Sequence, residues 1–233
     1  MPTRFSVSIG EAGQVSALAY SAATNPSAGA TLVLAHGAGA GQTSPFMVSF
    51  AEGLAARGLD VVTFNFVYTE QGRRAPDRGP KLEACYLAVV DAVSARGEME
   101  RPLLIGGKSM GGRIATHIAA APDPDDDAGA TAVDVAGVVA LGYPLHPPGR
   151  PEKMRDAHLP RVAAPTLVVQ GSRDTFGTED ELRPVLARMP NATLHLVDGG
   201  DHSLHIRRKS AAPREEIYGG VMDVIVSWIN AVI

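Results

Sequence analysis

Residues 103–118 constrain local shape more tightly than any other part of this chain. The apolar run Leu103-Leu104-Ile105 leads into Gly106-Gly107-Lys108-Ser109-Met110-Gly111-Gly112, and Arg113-Ile114-Ala115-Thr116-His117-Ile118 follows at helical spacing. An apolar run before and a helical segment after define a strand-to-helix junction. Gly-x-Ser-x-Gly at such a junction lets the two elements approach closely while the serine occupies a strained turn with its hydroxyl exposed. The same five residues also suit a plain glycine turn with a helix-capping serine. The rest of the chain has to decide between a nucleophile and a cap.

The flanking sequence alternates strand and helix. Two alternating runs, Phe5 to Ile9 and Val15 to Tyr20, read as an antiparallel hairpin at the edge of a sheet. Thr31 to Ala35 is continuously apolar, as a strand buried on both faces requires, and ends in the loop His36-Gly37-Ala38-Gly39-Ala40-Gly41. Ser44-Pro45 opens a helix whose Phe46, Phe50 and Leu54 recur on one face until Gly58, and Val61 to Phe66 is the next strand. Leu82, Cys85, Val89 and Val93 mark a helix closed by Gly97. Further strands fit Gly137 to Leu141, Thr166 to Gln170 and Thr193 to Val197, with helices near Glu179 to Met189 and Arg214 to Ile229. Repeated strand-helix-strand units require parallel strands with right-handed crossovers. The expected fold is therefore a doubly wound, mostly parallel α/β sheet of about eight strands, with ligands at the strand C-terminal ends.

Composition narrows the class of function. With 233 residues, a single domain spanning 1–233 and a substantial core are expected. A net charge of -4 and one short basic run, Arg207-Arg208-Lys209, give nucleic acid nothing to bind, and that run reads as a solvated loop. Cys85 has no second cysteine to pair with and reads as core packing. The acidic stretch Pro122 to Asp127 reads as a solvated loop before a metal site, since carboxylates adjacent in sequence usually face water. The N-terminal residues lack a signal-like apolar region and no segment is long enough to cross a bilayer, so a cytoplasmic location with no membrane partner is expected.

A serine hydroxyl is a weak nucleophile and needs an adjacent base, usually a histidine oriented by a carboxylate. Of the seven histidines, His202 follows the last strand in the glycine-rich Val197-Asp198-Gly199-Gly200-Asp201-His202-Ser203 and is the best base. His36 is expected to serve loop geometry, His117 to be a packed core histidine, His195 to lie in a strand, and His158 and His205 to be loop or rim residues. His146 borders the pocket in this reading. Asp174, after the strand ending at Gln170, is the matching acid. Glu179, Asp180 and Glu181 are better explained as helix N-terminal acids, with Thr178 and Glu181 at capping-box spacing. Asp201 adjoins His202 too closely along the chain for a face-on bond. The amides of Met110 and Ala38 are the expected oxyanion donors.

These residues resemble the α/β-hydrolase superfamily: His36-Gly37-Ala38-Gly39 as oxyanion loop, Gly107-Lys108-Ser109-Met110-Gly111 as nucleophile elbow, Asp174 as acid and His202 as base, in that order. Sixty-five residues separate Ser109 from Asp174 and 28 separate Asp174 from His202, leaving no room for a large lid. Within the superfamily the chain resembles the small dienelactone-hydrolase-like proteins. More narrowly, it resembles bacterial relatives of the testis-expressed and NSL-complex hydrolase-like proteins, through Gly107 to Arg113, Leu141 to Pro147 and Phe64 to Tyr68. The resemblance implies a cofactor-free, metal-free serine hydrolase of a small carboxylic ester, or less readily a thioester or amide. Tyr68, Lys108, Tyr143 and His146 are its candidate substrate-binding residues. A hydrolase-fold protein that binds a ligand or partner without turnover is the alternative, and peroxidase-type side chemistry a third. Lys108 departs from the residues usual before the nucleophile. If its ammonium lines the pocket with Arg73 or Arg74, an anionic substrate group is favoured.

Overall fold

The computed structural model describes residues 1–23, 29–96, 101–123, 132–206 and 212–233. Gly97, Arg207-Arg208-Lys209 and residues 124–127 of the acidic stretch lie outside them. Strands β1 (Thr3–Ser8), β2 (Gln14–Tyr20), β3 (Thr31–Ala35), β4 (Asp60–Phe64), β5 (Leu103–Lys108), β6 (Gly137–Leu141), β7 (Thr166–Gly171) and β8 (Ala192–Val197) form one eight-stranded sheet. Their spatial order is β1-β2-β4-β3-β5-β6-β7-β8. β1 pairs antiparallel with β2 and β2 antiparallel with β4, while every pairing from β4 to β8 is parallel.

The helices are α1 (Pro45–Ala55), α2 (Val67–Glu70), α3 (Gly79–Ser94), α4 (Met110–Ala119), α5 (Glu179–Leu186) and α6 (Arg214–Val232). α1 and α6 cover one face of the sheet through Phe50, Leu54, Ile225 and Ile229. α3, α4 and α5 cover the other through Tyr86, Val89, Ile114 and Leu182. Every residue of β3, β6 and β7 is buried, which is why these strands are continuously apolar rather than alternating. Cys85 is fully buried in the α3 side of this core, where burial pushes its thiol up to about 12 and leaves it unreactive.

Three local departures from the sequence reading stand out. β4 stops at Phe64 because the ladder to β2 is interrupted there: Asn65 N still donates to Ser16 O (3.1 Å), but Ser16 N goes to Glu70 Oε1 (2.9 Å) and Phe66 N to His36 Nε2 (3.2 Å). α2, unforeseen, then begins at Val67. α5 ends at Leu186, short of Met189, although its start is the expected capping box of Thr178 and Glu181. His117 is not a core residue: its side chain is 30% exposed and its Nδ1 meets Glu83 Oε1 at 3.3 Å. His158 takes the buried place beside it, ring centroids 3.8 Å apart, with Nε2 2.8 Å from Thr116 Oγ1. Burial, foremost, and the nearby charges of His117, Arg113 and Arg161 push His158 down to about 3, so it is neutral.

Candidate active site

Ser109 sits between β5 and α4 with φ 52 and ψ −114, one of two non-glycine residues with positive φ among those described. A side chain in this region costs on the order of 1–3 kcal/mol and persists only where the surroundings impose it. Here they do. Ser109 N donates to Leu141 O on β6 (2.9 Å), and Ser109 O accepts from Arg113 N in the first turn of α4 (3.0 Å). The glycines around the serine are sterically required. A Cβ on Gly107 would stand 2.5 Å from the carbonyl carbon of Gly111, and one on Gly111 would stand 2.4 Å from Ala35 O. Strand and helix thus touch backbone to backbone, and the serine side chain is the group pushed outward.

His202 reaches this serine from the loop after β8. Its Nε2 lies 2.8 Å from Ser109 Oγ and its Nδ1 lies 2.7 Å from Asp174 Oδ2. A carboxylate only accepts, so the bond to Asp174 puts the neutral ring's proton on Nδ1 and leaves Nε2 to accept from the serine hydroxyl. Asp174 is fully buried. Its Oδ1 accepts from Phe176 N (2.8 Å) and its Oδ2 also accepts from Gln170 Nε2 (2.8 Å), so the buried charge is met by three donors. The Phe176 ring stacks on the imidazole, centroids 4.1 Å apart.

The loops that carry Asp174 and His202 are in backbone contact. A Cβ on Gly171, the last residue of β7, would fall 2.3 Å from Gly200 O, and Arg173 N donates to Gly200 O at 2.9 Å. Asp201 folds the His202 loop: its Oδ1 accepts from Ser203 N (2.9 Å) and His205 N (3.1 Å), with Leu204 at φ 61.

The loop after β3 faces the serine. Gly37 O accepts from Ala40 N at 3.3 Å and Gly39 has φ 71, the positive third position of a type II turn. His36, fully buried, fastens it: because Nε2 accepts from Phe66 N, Nδ1 carries the proton and donates to Gly37 O at 2.8 Å. Burial lowers the pKa of this ring, keeping that neutral tautomer. Ala38 and Met110 both line the cleft beside Ser109. Among the described residues neither amide donates to another backbone carbonyl.

The cleft has a volume of about 590 Å³. Phe46, Met47, Leu82 and Phe176 give it apolar walls, and Lys108, Arg113 and Arg155 bring positive charge to it. Lys108 Nζ lies 5.7 Å from the centroid of the Phe46 ring. Burial pushes this ammonium down to about 8, against the opposing pull of Asp174 and Asp201.

Several sequence-selected residues are elsewhere. Tyr68 is buried edge-on to the His36 ring, centroids 6.0 Å apart, and does not line the cleft. Tyr143 is buried with its hydroxyl donating to Arg155 O (2.7 Å), so it braces the cleft wall from behind. His146 turns away toward Glu181, Nε2 to Oε1 3.2 Å. Arg73 pairs with Asp77 at 2.8 Å and, like Arg74, does not line the cleft. The cleft's arginines are Arg113 and Arg155, which the sequence reading missed. Arg113 had a findable signal, being four residues after Ser109 and so on the same helical face. Arg155 and Gln170, the brace on Asp174, had none.

A serine on a strained strand-to-helix turn, an imidazole and a buried carboxylate at one end of a mostly parallel eight-stranded sheet define the fold and site of an α/β hydrolase. The chain belongs to the alpha/beta hydrolase domain family, whose model matches residues 28–230. Its structure is similar to that of a dienelactone hydrolase from Anabaena variabilis, with TM-score 0.73, 20% identity and coverage of 100% of this chain and 98% of that one. It is also similar to an α/β serine hydrolase without a lid from Xanthomonas campestris, with TM-score 0.71, 18% identity and coverage of 97% and 94%. Est1E from Butyrivibrio proteoclasticus gives TM-score 0.71 at 14% identity, covering 98% of this chain and 99% of that one. At these identities the likeness is one of fold. No helix among the described residues is long and apolar enough to cross a membrane.

Proposed function

We propose that the protein is a serine hydrolase that cleaves a small carboxylic ester through an acyl-Ser109 intermediate. The observation that carries this reading is the continuous hydrogen-bonded line from Asp174 Oδ2 through His202 to Ser109 Oγ, with links of 2.7 and 2.8 Å. Ser109 Oγ attacks the ester carbonyl carbon as its proton passes to His202 Nε2. The carbonyl oxygen becomes an oxyanion, held by the amides of Ala38 and Met110. The C–O bond to the leaving group then breaks and His202 Nε2 returns the proton to that oxygen. Water, deprotonated by the same imidazole, attacks the acyl-serine and frees the acid. Asp174 keeps the ring in its productive tautomer and stabilises the imidazolium without taking the proton. Every step is carried by protein groups, the substrate and one water.

A fluorophosphonate probe is the direct test, run beside hydrolysis of p-nitrophenyl butyrate. Wild type should be labelled and active, and Ser109→Ala should be unlabelled and at least 1,000-fold slower, as expected for loss of a nucleophile. Absence of labelling and turnover in folded wild type would make it a binding protein on a hydrolase fold.

A further inference from the structure

Positive charge outweighs negative on the cleft wall: Lys108, Arg113 and Arg155 line it against one carboxylate among the described residues, Asp77. Arg113 and Arg155 both line it, and among the described residues neither guanidinium has a carboxylate within salt-bridge distance. The carboxylates around them are already engaged: Asp77 with Arg73 (2.8 Å), Glu83 with His117 (3.3 Å), Asp156 with Arg188, and Asp174 with His202. One N–H of Arg113 goes to His117 Nε2 (3.2 Å), and among the described residues the Arg155 guanidinium has only a long contact to Pro144 O (3.5 Å). A guanidinium has five donors, so most of this capacity is unspent.

The two cations also feel one another. Burial, and after it the charge of Arg113, lowers the pKa of Arg155, yet arginine does not lose its proton in a protein. Like charges set side by side in a partly dry cleft are unfavourable until an anion joins them. Lys108 adds a third positive group deeper in the same cleft.

We propose that Arg113 and Arg155 form an anion subsite, and that the substrate is an ester whose short apolar acyl chain ends in a carboxylate. This rests on the serine-hydrolase reading above. Arg113 lies one turn along α4 from Ser109, a rise of about 6 Å, so the anion sits a few carbons from the scissile carbonyl. The planar guanidinium fork matches two carboxylate oxygens, and the apolar cleft wall of Phe46, Met47, Leu82 and Phe176 takes the methylene chain.

The test compares kcat/KM for p-nitrophenyl butyrate with that for the mono-p-nitrophenyl ester of glutaric acid and its phosphonate-ended counterpart. Wild type is expected to prefer the glutarate ester by about 10- to 100-fold, the span for one or two charge-assisted hydrogen bonds. Arg155→Gln and Arg113→Gln should each cut that ratio at least tenfold, mainly through KM, and Arg155→Lys should keep part of it. A variant that folds poorly lowers both rates and leaves the ratio alone. Glutarate titrated into Ser109→Ala should bind at least tenfold more weakly when Arg155→Gln is added. Equal use of the neutral and anionic esters, or a ratio that survives both glutamine variants, overturns the subsite while leaving the hydrolase reading intact. Preference for the phosphonate ester overturns the carboxylate assignment. If no ester is cleaved, the hydrolase reading fails, and the glutarate titration still decides the subsite.

Discussion

Gln170 Nε2 donates to the same carboxylate oxygen, Asp174 Oδ2, that receives His202 Nδ1, at 2.8 and 2.7 Å respectively. Gln170 also donates to Gly177 O at 2.8 Å, and its own carbonyl accepts from Tyr143 N at 2.7 Å. Asp174 is thus held by Gln170 Nε2, Phe176 N and His202 Nδ1 in one fixed orientation. Asp174→Asn, with its amide oxygen kept toward Phe176 N, turns an NH2 donor toward His202 Nδ1 and no longer enforces the Nδ1–H tautomer. It is expected to lower kcat for p-nitrophenyl butyrate by about 10⁴, the scale seen when a triad carboxylate becomes an amide. Circular dichroism would confirm the fold, and a loss smaller than tenfold would remove Asp174 from its assigned role.

Backbone strain at Ser109 has a stability signature separate from activity. At φ 52 a Cβ is unfavourable whatever the side chain, so Ser109→Ala keeps the strain and Ser109→Gly relieves it. Allowing for the extra freedom glycine gives the unfolded chain, Ser109→Gly is expected to be about 1 kcal/mol more stable than Ser109→Ala. Urea denaturation of the two inactive proteins measures this. An alanine variant as stable as the glycine one would show that the turn holds no strain.

Two glycine-to-alanine substitutions are expected to act in opposite directions. At Gly111 the new methyl meets Ala35 O at 2.4 Å and the Ala35 carbonyl carbon at 2.7 Å, both backbone atoms of a buried central strand. Forced separation of β3 and α4 is expected to cost about 3 kcal/mol or more and to abolish activity. Gly220, exposed within α6, has open space where its Cβ would be. Gly220→Ala should stabilise by about 1 kcal/mol through helix propensity and leave turnover alone. Thermal melts of the pair check both signs.

Lys108 carries a pH dependence whose sign follows from burial. Its ammonium titrates at about 8 in the folded protein against an ordinary 10.5. Between these values the unfolded chain holds a proton the folded protein has released, so this residue makes stability rise with pH across that window and fall as pH drops through 8. At neutral pH the buried charge costs on the order of 3 kcal/mol. Lys108→Met is therefore expected to be the more stable protein at pH 7, with its advantage shrinking by pH 9.5. A stability gap that does not narrow would mean that the ammonium is better solvated than its burial implies.

The parts of the molecule legible in sequence were those governed by local rules. Buried central strands announced themselves as apolar runs, the elbow as glycines with one serine, and the α5 start as Thr178 and Glu181 at capping-box spacing. Ser109, Asp174 and His202 were selected because each follows a strand, and parallel strands bring such loops to one edge. What stayed hidden depends on which way a side chain turns once the loops are packed. Tyr143 and His146 lie in the right loop, yet the first bonds to Arg155 O and the second turns to Glu181. Arg155 enters the cleft from that same loop, where no periodicity marks it. Gln170 looks like an ordinary strand residue until the packed loops bring it against Asp174.

The close seating of Gly171 against Gly200 and Asp201 has a mechanical consequence. With backbone carbonyls 2.3 and 2.4 Å from where a Cβ would be, no side chain cushions the two loops, and they are joined again by Arg173 N to Gly200 O. The same loop also meets the strand that anchors Ser109: a Cβ on Gly142, the residue after β6, would fall 2.7 Å from His202 O, while Ser109 N is bonded to Leu141 O at the end of β6. Hydroxyl, imidazole and carboxylate are therefore spaced by one continuous main-chain framework, and a change in any of these glycines would be felt as a change in both distances.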